Sequence, residues 1–371
     1  MALIWCSTPP GFGHFGPTAP LARALLDAGH DVRVVTSRPF VPVVERASLP
    51  ALGLGRPWLE ERVEDAFPEC CVDGIPHMSL VFEVAATEML EALLDEAARS
   101  RPDLITWVWP VDYAGAVAAS VLGVPGIAIA TSAVVPLDLY ASIGGGPLGR
   151  LREGVGLEED PGHRWLVDMP HVTFFPATLD PTEDHQVPIE RVQYEALDTT
   201  GGEMPSQVTA LLGLDEPLVL ATLGTVYNRR GMLPVLLEAV ADQPYQVVLA
   251  TSSTVSLEDL PKPAGNVTVV PWVPFAQLIG HCDLVVHHGG TNTTLLAARE
   301  GVPSVVVPLG ADQFTNAGIT ARAGLSRVVP EPDRTASAIR DAIANVLANG
   351  EYRRRASAVA SEISAMSSDP L

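Results

Sequence analysis

Basic residues are scarce in this chain: 23 Lys+Arg stand against 44 Asp+Glu, a formal charge of −21 over 371 residues, and no basic run offsets it. That excludes a phosphate-backbone grip on DNA or RNA, which needs clustered cations. A small anion can still be held, but backbone N–H groups and helix N-termini must do the work. Cysteine is also rare. Cys6, Cys70, Cys71 and Cys282 show no metal-ligand spacing, and the adjacent Cys70-Cys71 pair cannot anchor a disulfide framework, so a reducing, cytoplasmic setting is expected. The N-terminal stretch MALIWCSTPP lacks a basic lead-in, the first basic residue being Arg23, and no signal peptide is expected. The one window that raises the question of a membrane span is Tyr113 to Leu137, which carries no charge and is nominally long enough. Gly123, Pro125 and Gly126 break it into AGAVAASVL and VPGIAIAT, which predicts a buried helix, turn and strand and no membrane span.

What is present is a globular composition, 47% hydrophobic and 18% charged, at a length that suits two domains. Short β-branched runs alternate with helical patterns: ALIWCS, TAPLARALLDAG, DVRVVTS, then PDLITWVW, AGAVAASVL and GIAIAT. A second series runs from PLVLATL through YQVVLATS, VTVV, DLVVHH and SVVVPL to closing helices, in which Ile339, Ala342, Ile343, Val346 and Leu347 recur at helical spacing. Such alternation predicts an α/β protein with parallel strands and crossover helices. The fold expected is two doubly wound, Rossmann-like domains facing a central cleft, residues 1–180 and 207–371, joined by a Pro/Gly/Asp/Thr-rich linker at 181–206. Function is then expected on loops that follow strands. The stretch from Pro57 to Glu91 fits this alternation poorly, and its Trp58, Phe67, Met78 and Phe82 suit either an apolar acceptor pocket or ordinary core.

After the first strand comes Gly11-Phe12-Gly13-His14-Phe15-Gly16, a literal G-x-G-x-x-G. It invites an NADP-dependent reductase reading. The second strand, however, ends Val35-Thr36-Ser37-Arg38 without the acidic residue that would hold a ribose. The alternative is a glycine-rich turn that lifts His14 to the lip of a cleft.

His287-His288-Gly289-Gly290-Thr291-Asn292-Thr293-Thr294 lies between a strand and a helix, so small residues and free N–H groups gather at a helix N-terminus. That suits a phosphate cradle: the glycines permit close approach, the hydroxyls cap or donate, and His288 can donate to an anionic oxygen. A purely structural cap has the same look. Leu223-Gly224-Thr225 repeats the pattern after an earlier strand. In Pro271-Trp272-Val273-Pro274 the indole can stack on a flat base or fill core, and Asp312 and Gln313 follow a strand where they can meet hydroxyls or cap a helix.

Together with Gly13-His14-Phe15-Gly16-Pro17 and Glu300-Gly301-Val302-Pro303, these motifs resemble the inverting family-one glycosyltransferases of the GT-B fold. Most similar in character are the bacterial enzymes that glycosylate macrolides, aromatic polyketides and related natural products. The resemblance implies that His14 is the general base, that Trp272 with Val273 meets the nucleotide base, and that Thr225, His288, Gly289, Gly290, Thr291, Asn292 and Thr293 form the diphosphate site. It further implies that Asp312 and Gln313 bind sugar hydroxyls and that neither metal nor cofactor is used; Phe12 joins Trp58, Phe67, Met78 and Phe82 as a candidate for the acceptor side. No Asp-x-Asp motif occurs. The partners implied are a nucleoside diphosphate sugar, dTDP- or UDP-linked, and a hydrophobic natural-product acceptor. Monomer and homodimer both stay open, as do O- and C-glycosidic products and a non-catalytic nucleotide-sugar-binding role.

Three departures qualify the resemblance. Phe275 stands where many relatives carry Gln. Relatives often orient the base with an Asp near the end of the strand PDLITWVW, where this chain has Trp109-Pro110 and the nearest carboxylate is Asp112. Eight residues beyond His288, where plant relatives place a Glu for the ribose hydroxyls, stands Leu296, which suggests a donor lacking the 2′-hydroxyl, such as a dTDP-deoxysugar.

Overall fold

The structure, a computed structural model, describes residues 1–72, 75–133, 137–158, 160, 165, 169–180, 189–195, 202–225, 231–252 and 255–368. The chain divides into two compact units: Met1–Phe174 with Pro181–Thr199 and Ser367–Leu371, and Phe175–Asp180 with Thr200–Met366.

The first unit is built on strands β1 (Leu3–Ser7), β2 (Asp31–Thr36), β3 (Ala51–Gly53), β4 (Leu104–Trp109), β5 (Gly126–Ala130), β6 (His171–Thr173) and β7 (Ile189–Arg191). They form one sheet in the order β3-β2-β1-β4-β5-β6-β7. All the pairings are parallel. Strands covered on both faces read as nearly continuous apolar runs. Trp5, Ile105, Trp107 and Ile129 are accordingly fully buried. The crossover helices include α1 (Phe12–Asp27), α2 (Met78–Ala97), α3 (Tyr113–Leu122) and α4 (Leu137–Gly154). The charge-free run does become α3 and β5. Asp112 caps the start of α3, its Oδ1 accepting from the Gly115 N–H at 3.0 Å, and Gly123 ends it in the left-handed region at φ +61°. Among the described residues no helix is long and apolar enough to cross a membrane.

The second unit carries β8 (Leu218–Thr222), β9 (Gln246–Ala250), β10 (Val267–Val270), β11 (Leu284–His287), β12 (Ser304–Val306) and β13 (Ser326–Val328). Their order is β10-β9-β8-β11-β12-β13, again parallel. Helices α5 (Met232–Val240), α6 (Thr291–Arg299), α7 (Gln313–Arg322), α8 (Ala336–Ala348) and α9 (Gly350–Ala365) pack around it. The periodic stripe of α8 buries Ile339, Ala342, Ile343 and Val346 against Leu236, Val247 and Leu284. Each sheet thus reverses its strand order once, between β1 and β4 and between β8 and β11. In such sheets ligands bind beyond the carboxyl ends of the strands at that reversal.

Within 181–206, Ile189–Arg191 adds an edge strand to the first sheet, while 181–188 and 196–201 lie outside the described residues. The C-terminal segment returns to the first unit, where the Ser367 carbonyl accepts from the Gln193 N–H at 2.8 Å.

Candidate active site

In the first unit, β1 and β4 deliver His14 and Asp112 to the reversal point. His14 sits in the first turn of α1, partly exposed, with Gly11 as the N-cap. Asp112 lies just past β4 and is buried beside the Ser7 end of β1. Gly115 makes the room, since a Cβ there would lie 2.8 Å from Asp112 Oδ2 and 2.9 Å from the Ser7 Cβ. Burial pushes the Asp112 carboxyl above the usual range, with the Ser7 hydroxyl, the Gly115 and Val108 peptide groups and the His14 charge opposing it.

A direct side-chain contact to His14 comes from another segment. Nε2 of the imidazole lies 3.3 Å from Oε1 of Glu60. Glu60 follows β3, and its N–H donates to the Pro10 carbonyl at 3.1 Å, which ties this segment to the β1–α1 loop. Burial pushes the Glu60 carboxyl up, but the charge of His14 and the hydrogen bond to it hold it below the usual carboxylate range. A Cβ on Gly11 would collide with this carboxylate, whereas the Gly11 backbone, at φ −145°, suits any residue. Gly11 is therefore a glycine because Glu60 lies over it.

Around this pair the aromatic residues form an apolar wall. Phe82 stands edge-on to His14 with ring centroids 6.1 Å apart, and Trp58 contacts both Phe67 and Phe82. Trp58 and Phe67 are buried in a small cluster with Val63, Cys70, Val81 and Ala85. Phe82, Met78 and Phe12 keep part of their surface exposed. Trp58 and Phe67 thus support this wall from behind.

In the second unit the β8 and β11 loops converge on one ring. A Cβ on Gly224 would lie 2.7 Å from His288 Cε1, and one on Gly290 would collide with His288 Nε2. Gly224 and Gly289 adopt φ values of +75° and +93°, which favour glycine on backbone grounds as well. His288 is partly exposed, but its Nδ1 is buried and among the described residues has no hydrogen-bond partner. Burial of the ring lowers its pKa to about 4, so the imidazole is neutral near pH 7 and can offer one ring N–H as a hydrogen-bond donor to an anionic oxygen. Gly289 and Gly290 lead into α6, where Asn292 and Thr293 stay partly exposed in the first turn, as does Thr225 after Gly224. These N–H groups at a positive helix end form an anion cradle.

Asp312 and Gln313 are held by their own loop. Thr291 Oγ1 donates to Asp312 Oδ2 at 2.9 Å, and Asn316 Nδ2 donates to that same oxygen at 3.0 Å and to the Gly289 carbonyl at 2.8 Å. Gln313 Oε1 accepts from the N–H groups of Leu309 at 2.8 Å and Gly310 at 3.1 Å. Trp272 is half-buried, with Gly202 close against its ring at 2.8 Å for an added Cβ, while Val273 is fully buried. Leu296 lies inside α6 and is buried. Among the described residues no cluster of His, Cys, Asp and Glu could hold a metal ion.

Residues 234–370 match the family described as erythromycin biosynthesis protein CIII-like, C-terminal domain. The TDP-daunosamine transferase DnrS of Streptomyces peucetius is 30% identical, over 94% of this chain and 90% of that protein. The chain belongs to the natural-product glycosyltransferases. Solved structures agree on the fold: the calicheamicin glycosyltransferase CalG4 matches with a TM-score of 0.79 at 22% identity, covering 100% of this chain and 96% of that one. Glycosyltransferase VinC, solved in complex with dTDP, matches at 0.74 and 23% identity, over 98% and 96% of the two chains. Both have the GT-B architecture.

For this glycosyltransferase the reductase reading of the Gly11 loop is set aside, and the physical reason is local. A dinucleotide would place its pyrophosphate at the start of α1, and the Glu60 carboxylate already lies over Gly11 there. Glu60 and Asn316 are the residues that sequence reasoning missed. For Glu60 the one available signal was that residues 57–91 broke the strand and helix alternation, and for Asn316 there was none.

Proposed function

We propose that this glycosyltransferase transfers a sugar from a dTDP-linked donor to a hydroxyl of a hydrophobic aglycone, with inversion and without a metal. An N-terminal domain, residues 1–180, takes the acceptor and a C-terminal one, residues 207–371, the nucleotide sugar. His14 Nε2 accepts the hydroxyl proton as the oxygen attacks the anomeric carbon from the face opposite the diphosphate, and the bond to diphosphate breaks. Asp112, whose charge interacts with that of His14, supports the base. The leaving diphosphate is met by the N–H groups of Gly290, Asn292 and Thr293, by Thr225 and by His288. Trp272 stacks on the base, Val273 flanks it, and Asp312 and Gln313 border the sugar.

The observation that carries this reading is the packing of His288 between Gly224 and Gly290, where two strand ends and one helix N-terminus meet a neutral donor. The dTDP complex of the VinC structure and the buried Leu296 support thymidine over uridine nucleotides. A thermal-shift series with dTDP, UDP and NADPH tests it, because a ligand that binds only the native state raises the melting point. Stabilisation is expected with dTDP, less with UDP and none with NADPH, and stabilisation by NADPH alone would reject the reading. Product analysis should show a β-glycoside from an α-linked donor.

A further inference from the structure

Glu60 sets a problem for the acceptor. Nδ1 of His14 is buried, which leaves Nε2 as the nitrogen open to a hydroxyl, and the Glu60 carboxylate already occupies Nε2 at 3.3 Å. The two side chains are only 14% and 16% exposed, and among the described residues His14 is the one side chain within ion-pair distance of Glu60. An acceptor hydroxyl that takes Nε2 therefore displaces the carboxylate from its partner. A largely buried carboxylate left without a donor is costly. The backbone bond from Glu60 to Pro10 holds the residue in place, so the carboxylate stays beside the ring.

We propose that Glu60 is an acceptor-specificity residue that takes a hydrogen bond from a second donor group on the acceptor, a hydroxyl on the carbon next to the reacting one. The spacing between Nε2 and Oε1 is roughly that of two oxygens on adjacent carbons. This inference rests on the reading of His14 as the base. The proton passes from the reacting hydroxyl to Nε2, the new bond forms at the anomeric carbon, the bond to diphosphate breaks, and Glu60 only accepts a hydrogen bond. Acceptors with adjacent hydroxyls are thereby favoured over mono-alcohols.

The test uses three coumarins: umbelliferone with one phenol, esculetin with two adjacent phenols, and a dihydroxycoumarin whose phenols are apart. Their affinities for the full chain are measured by fluorescence, with the dTDP thermal shift as the folding control. Wild type is expected to bind esculetin on the order of tenfold more tightly than the other two, the worth of one charge-assisted hydrogen bond. Glu60→Gln should reduce this preference to within about twofold, as should Gly11→Ala, which expels the carboxylate while leaving its chemistry intact. Equal affinities in wild type, undetectable binding of all three included, overturn the proposal, and so does a preference that survives Glu60→Gln. Transfer by His14→Ala is assayed in parallel. If that variant stays active, the base reading falls; if it is inactive while the preference survives Glu60→Gln, only the role of Glu60 falls.

Discussion

The Thr291 hydroxyl donates to Asp312 Oδ2 at 2.9 Å and so joins the first turn of α6 to the residue that immediately precedes α7. Asn316, fully buried, completes the junction by donating to Asp312, to the Gly289 carbonyl and to Thr291 Oγ1. Asn316→Ala removes the amide donor from all three acceptors, leaving Asp312 Oδ2 the Thr291 hydroxyl. It should cost about 1–3 kcal/mol of stability, read from urea unfolding, and should also weaken dTDP binding because Gly289 borders the cradle. Unchanged dTDP affinity in a destabilised protein would confine Asn316 to a structural role.

Replacing His288 with Ala should lower transfer by roughly 2–4 kcal/mol of transition-state stabilisation, read from kcat/KM, if the ring donates to the departing diphosphate. Gly290→Ala should give a loss of the same kind by driving a methyl into the ring. A folded His288→Ala protein with wild-type turnover would refute the assignment.

The His287-His288 pair makes stability depend on pH. Burial, together with the charge of His288, lowers the His287 pKa to about 3, and burial lowers His288 to about 4. An unfolded histidine titrates near 6.5, so below that pH the unfolded chain binds protons that the native one refuses. The stability is whole above about 6.5 and is lost as pH falls toward 4, by about 3 kcal/mol for His288 alone. Denaturant midpoints at intervals from pH 7.5 to 4.5 should show this fall, and His288→Ala should flatten it. An identical slope in the variant would mean that His288 is not held neutral.

His14→Ala should slow transfer to an alkyl alcohol by about 10²–10⁴-fold while leaving dTDP affinity near wild type, since the donor residues belong to the other unit. The loss should shrink with a phenolic acceptor as rising pH ionises the phenol itself. Normal rates with an alkyl alcohol would move the search for the base to Asp112 and Glu60.

Much of this architecture follows from local pattern. The alternation of apolar runs and amphipathic segments predicts two parallel α/β units because burial on both sheet faces demands it. Gly123, Pro125 and Gly126 predict the break between α3 and β5 because neither residue type continues a helix well. The His288 motif is legible because the role proposed for it lies in consecutive backbone N–H groups, which sequence order alone brings together at a helix start.

Contacts between distant segments were decided only by the tertiary structure. The pairing of His14 with Glu60 spans 46 residues, and Gly11 reads as a dinucleotide glycine until a carboxylate is found lying over it. Trp58, Phe67, Met78 and Phe82 carry the same hydrophobic signal in sequence, yet packing buries the first two and leaves the others partly exposed. Gln313 reads as a sugar ligand, but its Oε1 is taken by the Leu309 and Gly310 peptides, because a buried turn must satisfy its own N–H groups. A residue's chemistry is written in its side chain. Its role here depends on which neighbour the folded chain leaves for its last polar atom.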